Sequence, residues 1–400
     1  MIEEIQVDGG AAIRNWASIL DESAMEQALV TSTLDILRAP VALMPDAHWG
    51  MGATIGSVLV TDDAVIPAAV GVDIGCGMAA RQLSITEGAL TPDVLKRWQA
   101  EMRNFVPAGL GHWFEGSTDA TGQWIDQHTP PARLDSKEVT RAMQQLGSLG
   151  SGNHFVELAV DENGSVWILL HSGSRGVGKH LADIHQDIAA ELTGALAPNR
   201  ELAWITSDVP EFDAYLKDLG WAQAYALENR AQLLAGAHAA LNRARDTETY
   251  TADEVNCHHN YAQQEFVVEL GRRAYVTRKG AIRAGVDDRG LIPGAMGQAS
   301  FLVRGLGNPL SYESCSHGAG RAMSRGRARR EIPLDDFIAK MEGVTWQDRN
   351  AEELLDEAPQ SYKPVEQVMA DQADLVKIEH TFHAVANYKG FDVRRRKKGK

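Results

Sequence analysis

The chain has 400 residues and a formal net charge of −15, with 44% hydrophobic and 23% charged residues, which is enough ordinary globular sequence to bury a large core. Those figures exclude a disordered or collagen-like chain, and no apolar run reaches the ~20 residues needed to span a bilayer. The surplus of acid excludes a uniformly basic nucleic-acid binder, so a polyanion must be held by local charge.

The start, Met1-Ile-Glu-Glu-Ile-Gln, lacks the basic-then-apolar pattern of a secretory leader. Residues 22–37 carry apolar side chains at helical spacing and run up to Pro40, which predicts a helix. Residues 41–44 and 57–60 read as short buried strands between glycine turns. A helix is expected over 91–105, a loop rich in Gly, Pro, Thr and Asp over 106–135, and a glycine-rich strand block over 146–178. A long helical region follows over 179–245, with Pro198 and Pro210 as breaks. Strands are expected at 265–269 and 273–278, loops over most of 280–320, and helices at 321–330 and 333–342. The polar motifs run from residue 46 to residue 389, so residues 1–390 are expected to form one domain if those motifs share a site. The basic end, 391–400, reads as a disordered tail.

The three cysteines, Cys76, Cys257 and Cys315, include no CxxC pair. That argues against a disulfide framework and fits a reducing compartment, so the cytoplasm is the expected location. Cys76 sits in Gly71-Val-Asp73-Ile-Gly-Cys76-Gly-Met78. A carboxylate and a thiol on one glycine turn suit a divalent metal, although a buried free cysteine is common in any core. Two further segments, Gly150-Ser-Gly-Asn153-His154-Phe-Val-Glu157 and Leu169-Leu-His171-Ser-Gly-Ser-Arg175, each place a histidine beside an apolar strand. Asn256-Cys-His258-His259-Asn260 offers two more. Adjacent histidines point apart, so one can bind metal while the other packs. Asp, Cys and three His would serve one or two transition metals, and the ligand types leave zinc and manganese both open.

A second group of loops can cradle phosphate. It comprises Thr277-Arg278-Lys279-Gly280, Pro293-Gly294-Ala295-Met296-Gly297, Arg304-Gly-Leu-Gly-Asn308 and Ser314-Cys315-Ser316-His317-Gly318-Ala319-Gly320-Arg321. No Walker motif, GxGxxG fingerprint or GxSxG elbow occurs. The residues alone make either Cys315 or His317 a plausible nucleophile. Positive charge is concentrated in Arg321–Arg330 and in the tail from Arg394 to Lys400.

With these motifs in order, GVDIGCGM, GSGNHFVE, LLHSGSRG, NCHHN, TRKGA, IPGAMG, RGLGN and SCSHGAGR, the chain resembles the RtcB family of RNA ligases nearly end to end. The resemblance implies a large α+β domain, with mixed and antiparallel sheets flanked by helices around a buried dinuclear metal site. It implies two Mn2+ ions, one held by Asp73, Cys76 and His154, the other by Cys76, His171 and His259. It implies GTP as co-substrate, with His317 as the guanylated nucleophile. The nucleotide pocket would be Asn153, Glu157, Asn260, Pro293, Gly294, Ala295, Met296, Ser300, Gly318, Ala319, Gly320 and Lys389, and Arg175 would meet an RNA phosphate. The expected substrates are RNA ends bearing a 3′-phosphate or 2′,3′-cyclic phosphate and a 5′-hydroxyl, in RNA repair or tRNA splicing, with an archease-like activator as a possible partner and no membrane. Asp46 and His48 would orient metal-bound groups or bond within the core, and His258 would pack.

Three segments depart from the family pattern. Trp49-Gly50-Met51 stands where relatives carry a basic residue, the loop after Pro107 is not basic, and the chain continues past Lys389-Gly390 with a basic tail. Fewer phosphate contacts would weaken RNA binding and flatten its salt dependence. Two other readings use the same residues: a metal-dependent cyclic-phosphate phosphoesterase, and a non-ligating RNA-binding paralogue.

Overall fold

Short apolar runs separated by glycine turns assemble into two large sheets in this computed structural model, which describes residues 1–109 and 119–391. The first sheet has six strands in the order Glu3–Ile5, Ile13–Asn15, Val41–His48, Ile55–Thr61, Arg272–Lys279, Asn260–Val267. Only Ile13–Asn15 against Val41–His48 runs parallel. The second has seven strands in the order Thr251–His258, Gly77–Thr86, Ser165–Ser172, Phe155–Val160, Val376–Lys389, Ser300–Gly305, Arg289–Ile292, each antiparallel to its neighbour. With the helices, this is an α+β architecture.

Period-two alternation explains why these strands read as continuous apolar runs. Ala42, Met44, Val58 and Val60 face a core with Trp16 and Ile282. Their neighbours Val41, Leu43 and Leu59 face another with Ile13 and Leu34. In the second sheet, Ile168 and Leu170 pack with Trp98, while Trp167 and Leu169 pack with Phe382. Helices cover the outer faces. The 36-residue helix Pro210–Arg245 opens on a proline, carries Glu211 and Asp213 in its first turn, and has Arg243 and Arg245 in its last, charges that suit its dipole. Its Leu233, Leu234 and Leu241 meet Trp98.

Several expectations need correction. The first helix stops at Ser32. Leu34 and Ile36 turn into the core, and residues 34–37 close turns instead of continuing the spiral. The expected loop 106–135 contains the helix Asp119–Gln127, whose Trp124 and Ile125 are buried with Trp221 and Tyr225; tertiary packing overrides its turn-rich composition. The region 179–245 is two helices, Arg175–Thr193 and Pro210–Arg245, and Pro210 starts the second, where its missing N–H costs nothing. Residues 280–320 hold four short strands, Ala281–Arg283, Arg289–Ile292, Ser300–Gly305 and Ser314–Ser316. Apart from Phe391, which packs against Phe337 and its neighbours, the basic tail lies outside the described residues. No helix among the described residues is long and apolar enough to cross a membrane.

Arg278 ties the first sheet to the small one. It is fully buried, meets both carboxylate oxygens of Glu265, and donates to Ser314 Oγ at 2.9 Å and Tyr312 O at 2.9 Å. Removing the partner leaves a buried charge uncompensated. Glu265→Ala is expected to cost roughly 3 kcal/mol, read as a lower urea midpoint at unchanged slope.

Candidate active site

Five neighbouring strands of the seven-stranded sheet deliver candidate site residues to the same end. Antiparallel pairing places His258 opposite Gly77, Met78 opposite His171, Phe155 opposite His171, and Lys389 opposite Phe155. Cys76 and His154 therefore sit just before their strands, His171 near the end of its own, His259 just past its own, and Lys389 at the last position of the C-terminal strand. Antiparallel pairing does the gathering, because alternate strands begin where their neighbours end.

The candidate metal donors form a chain of close contacts. Cys76 Sγ lies 3.5 Å from His154 Nε2 and 3.3 Å from His171 Nε2. These three are mutually close and buried. Asp73 Oδ2 joins through His154 Nε2 at 3.2 Å, and His259 Nε2 through His171 Nε2 at 3.4 Å. Ligands bonded at ~2.0–2.3 Å to a shared ion stand about this far apart. His171 Nδ1 lies 3.1 Å from Asn153 O; a carbonyl only accepts, so this Nδ1 carries the proton and Nε2 turns a lone pair inward. His154 Nδ1 lies between Leu149 O at 3.0 Å and Arg175 Nη1 at 3.2 Å. Imidazole nitrogens, a thiol and a carboxylate converging in one place suit a divalent cation. Burial and the charge of Asp73 push the Cys76 thiol well above its ordinary value, whereas a bound cation would draw the proton off. Burial would also raise Asp73; contact with His154 and the charge of Arg175 outweigh it and bring the carboxyl to about 2. Arg230, fully buried on the long helix, braces this loop by donating to Gly75 O, Ser172 O and Asn256 Oδ1 at 2.8, 3.1 and 2.6 Å.

His317 follows the strand Ser314–Ser316, which pairs with Ala281–Arg283. Its ring stands edge-on to His259, centroids 4.7 Å apart. Asp46, fully buried in the strand Val41–His48, accepts from the backbone N–H groups of His317 and Gly318 at 3.1 and 3.2 Å. The same oxygen lies 2.6 Å from His317 Nδ1, at an angle that falls short of a hydrogen bond. Gly320 lets the loop pass: its φ is +72°, and a Cβ there would fall 2.2 Å from Asp46 O.

A cavity of about 400 Å³ joins these residues to a second wall. There Glu157, buried, accepts from Asn387 Nδ2 at 2.7 Å, and burial lifts its carboxyl to about 7. Lys389 Nζ lies 3.5 Å from Glu357 Oε2, and burial lowers that ammonium against the charges of Glu357 and Glu157. Ionising Glu157 opposes folding, because its folded value of about 7 stands above the ordinary 4.5. The penalty is absent below that ordinary value and complete above the folded one. Glu157→Gln, which keeps the acceptor for Asn387, should raise stability by roughly 2–3 kcal/mol at pH 8. It should change little at pH 4.5, in paired melts without nucleotide.

Of the residues expected at the nucleotide site, Asn153, Glu157, Asn260, Pro293 to Met296, Gly318 to Gly320 and Lys389 line the cavity. Ser300 sits behind it, accepting from Gly294 N at 3.3 Å. Arg175 also sits behind: its Nη1 lies 3.2 Å from His154 Nδ1, at the start of a helix and with φ of +59°. His258 turns away, its Nδ1 lying 2.8 Å from Gly75 O and 3.1 Å from Arg230. Cys315 is fully buried in a hydrophobic cluster. His48 lines the cavity with its Nδ1 2.9 Å from Asp46 O. Sequence reasoning missed Glu357 and Tyr362, whose side chains bond at 2.8 Å in the cavity wall. Glu357 follows Glu352, Glu353 and Asp356, an acidic run with the look of a solvated face.

The family model described as tRNA-splicing ligase RtcB matches residues 27–390. An RNA-splicing ligase RtcB1 of Escherichia coli ATCC 25922 is 38% identical, over 97% of this chain and 99% of its own length. An RNA-splicing ligase RtcB of Mycobacterium tuberculosis H37Rv is 30% identical over 86% of this chain and 95% of its own. A tRNA-splicing ligase RtcB of Aeropyrum pernix is 29% identical over 87% of each. Full-length matches of this kind, together with a site drawn from one end of the sheet, make this chain a member of the RtcB ligase family.

Proposed function

We propose that this chain is a GTP- and Mn2+-dependent RNA ligase that joins a 3′-phosphate, or a 2′,3′-cyclic phosphate after opening, to a 5′-hydroxyl. The observation that carries this reading is the position of His317, whose ring stands 4.7 Å from that of the metal-donor candidate His259 in a cavity that also holds a buried carboxyl. Asp73, Cys76 and His154 would hold one ion and Cys76, His171 and His259 a second, as the contacts of Cys76 Sγ with both His154 and His171 support. When bound, Mn2+ would supply a positive centre that spreads the negative charge developing on a phosphate.

The protein's own groups account for the rest. Asp46 holds the backbone of His317 and faces its Nδ1, which favours a proton on Nδ1 and a lone pair on Nε2. That lone pair attacks the α-phosphorus of GTP; the N–P bond forms and the P–O bond to pyrophosphate breaks. An oxygen of the RNA 3′-phosphate then attacks the same phosphorus and the N–P bond breaks, leaving an RNA-ppG end. The 5′-hydroxyl oxygen attacks the RNA phosphorus, loses its proton to solvent, and GMP departs. Glu157 and Lys389 offer guanine an acceptor and a donor. Arg325, half-exposed on the cavity wall, suits phosphate oxygens, while Arg321 is held by Met323 O, Tyr362 and Asp356 O. Catalysis is then positioning and charge stabilisation.

Incubation with labelled GTP and Mn2+ should give a protein–GMP adduct, and adding both RNA ends should give joined product. Hydrolysis of a cyclic phosphate without GTP and without joining would favour the phosphoesterase reading instead.

A further inference from the structure

Phe155 and Met296 in the cavity wall are buried, but two large apolar side chains at the rim are not. Trp49 is 58% exposed and Met51 51% exposed, and both line the cavity. Leaving so much apolar surface in water is unfavourable unless something covers it. Looseness of the loop does not explain the exposure, because its backbone is pinned from three sides. Gln27 donates its side-chain amide to Gly50 O and Gly52 O and accepts from Gly50 N at 3.2 Å. Glu201 accepts from Gly52 N at 2.7 Å. The buried Lys279 ammonium donates to Met51 O. A fixed backbone that holds an indole in the open is a preorganised surface.

Its distance from the reacting group can be gauged through one side chain. A Cβ built on Gly280 would fall 3.0 Å from His317 Cε1 and 2.5 Å from Ile55 Cγ2, and one built on Gly50 would fall 2.5 Å from Ile55 Cγ1. Ile55 therefore lies between the His317 imidazole and the residue beside Trp49, a gap of the kind a nucleoside with its phosphate at His317 can cross.

We infer that Trp49, with Met51 beside it, is a stacking platform for a nucleobase of the RNA next to the reacting end. The inference rests on the RNA-joining reading. An aromatic face accepts any base, because every base has a π-face. On a chain with net charge −15, such a contact holds RNA without adding to the salt-dependent attraction. Arg325 takes phosphate, and Trp49 takes the base.

The test uses the full chain, joining RNAs that carry one abasic position at the last or penultimate nucleoside of the 3′-phosphate strand, or at the first of the 5′-hydroxyl strand. Trp49→Ala should raise KM for intact RNA on the order of tenfold with kcat little changed, and Trp49→Phe should restore most of it. One abasic RNA should bind the parent as weakly as intact RNA binds Trp49→Ala, and should lose nothing further in that variant. GMP labelling from GTP alone should be the same in all three proteins. A parent that ligates normally while Trp49→Ala leaves KM unchanged, or weakens intact and all abasic RNAs alike, overturns the platform alone. A parent that takes no label overturns the ligase reading and the platform with it.

Discussion

His317→Ala should take no label from α-phosphate-labelled GTP and should join no RNA, while folding and binding Mn2+ as the parent does. The parent's label should be lost in acid and kept in base, as a phosphoramidate requires. The expected loss is complete, not partial, because the other candidate nucleophiles among the described residues are committed elsewhere: the Lys279 ammonium donates to Met51 O and Ala68 O, and Lys389 faces Glu357. Cys315 is buried in a hydrophobic cluster, and His258 faces Gly75 and Arg230. A companion variant, Asp46→Asn, should slow labelling without abolishing it. It keeps an oxygen for the N–H groups of His317 and Gly318 but removes the charge that faces Nδ1. Label that survives in His317→Ala would move the nucleophile elsewhere.

Cys76→Ala should abolish tight Mn2+ binding altogether, where loss of a single terminal ligand would weaken it. Cys76 Sγ touches both His154 and His171, so its removal opens both halves of the donor chain. The thermodynamic readout needs no activity. A protein at a hundred times Kd gains about 2.7 kcal/mol from its ligand, so Mn2+ should raise the Tm of the parent and leave that of Cys76→Ala where it was. Asp73→Ala, which removes an end of the chain, should keep part of the shift. If Cys76→Ala and the parent respond equally to Mn2+, the thiol is structural.

How much of this was legible in the sequence differs by residue. Glycine punctuation marked the turns at Asp73–Cys76, Asn153–His154 and His317–Gly320, because close backbone approach tolerates little else. Strands at the two sheet centres were visible as apolar runs. What could not be read was anything set by partners distant in sequence. The helix Asp119–Gln127 owes its burial to Trp221 and Tyr225, the brace at Arg230 looks like an ordinary helix-surface arginine, and Glu357 looks solvated until Lys389 and Tyr362 are brought to it. The segment Trp49-Gly50-Met51 was noticed for a missing basic residue; only the pinned backbone around it makes Trp49 a surface with a use.

The strand Val376–Lys389 lies between Phe155–Val160 and Ser300–Gly305 and ends on Lys389 in the cavity wall. A nascent chain that has not yet extended this far out of the ribosome has no middle to its larger sheet and two open strand edges, which invite pairing with other chains. Activity is therefore withheld until this strand has been made. Stop codons well upstream should yield insoluble fragments instead of weakened enzymes.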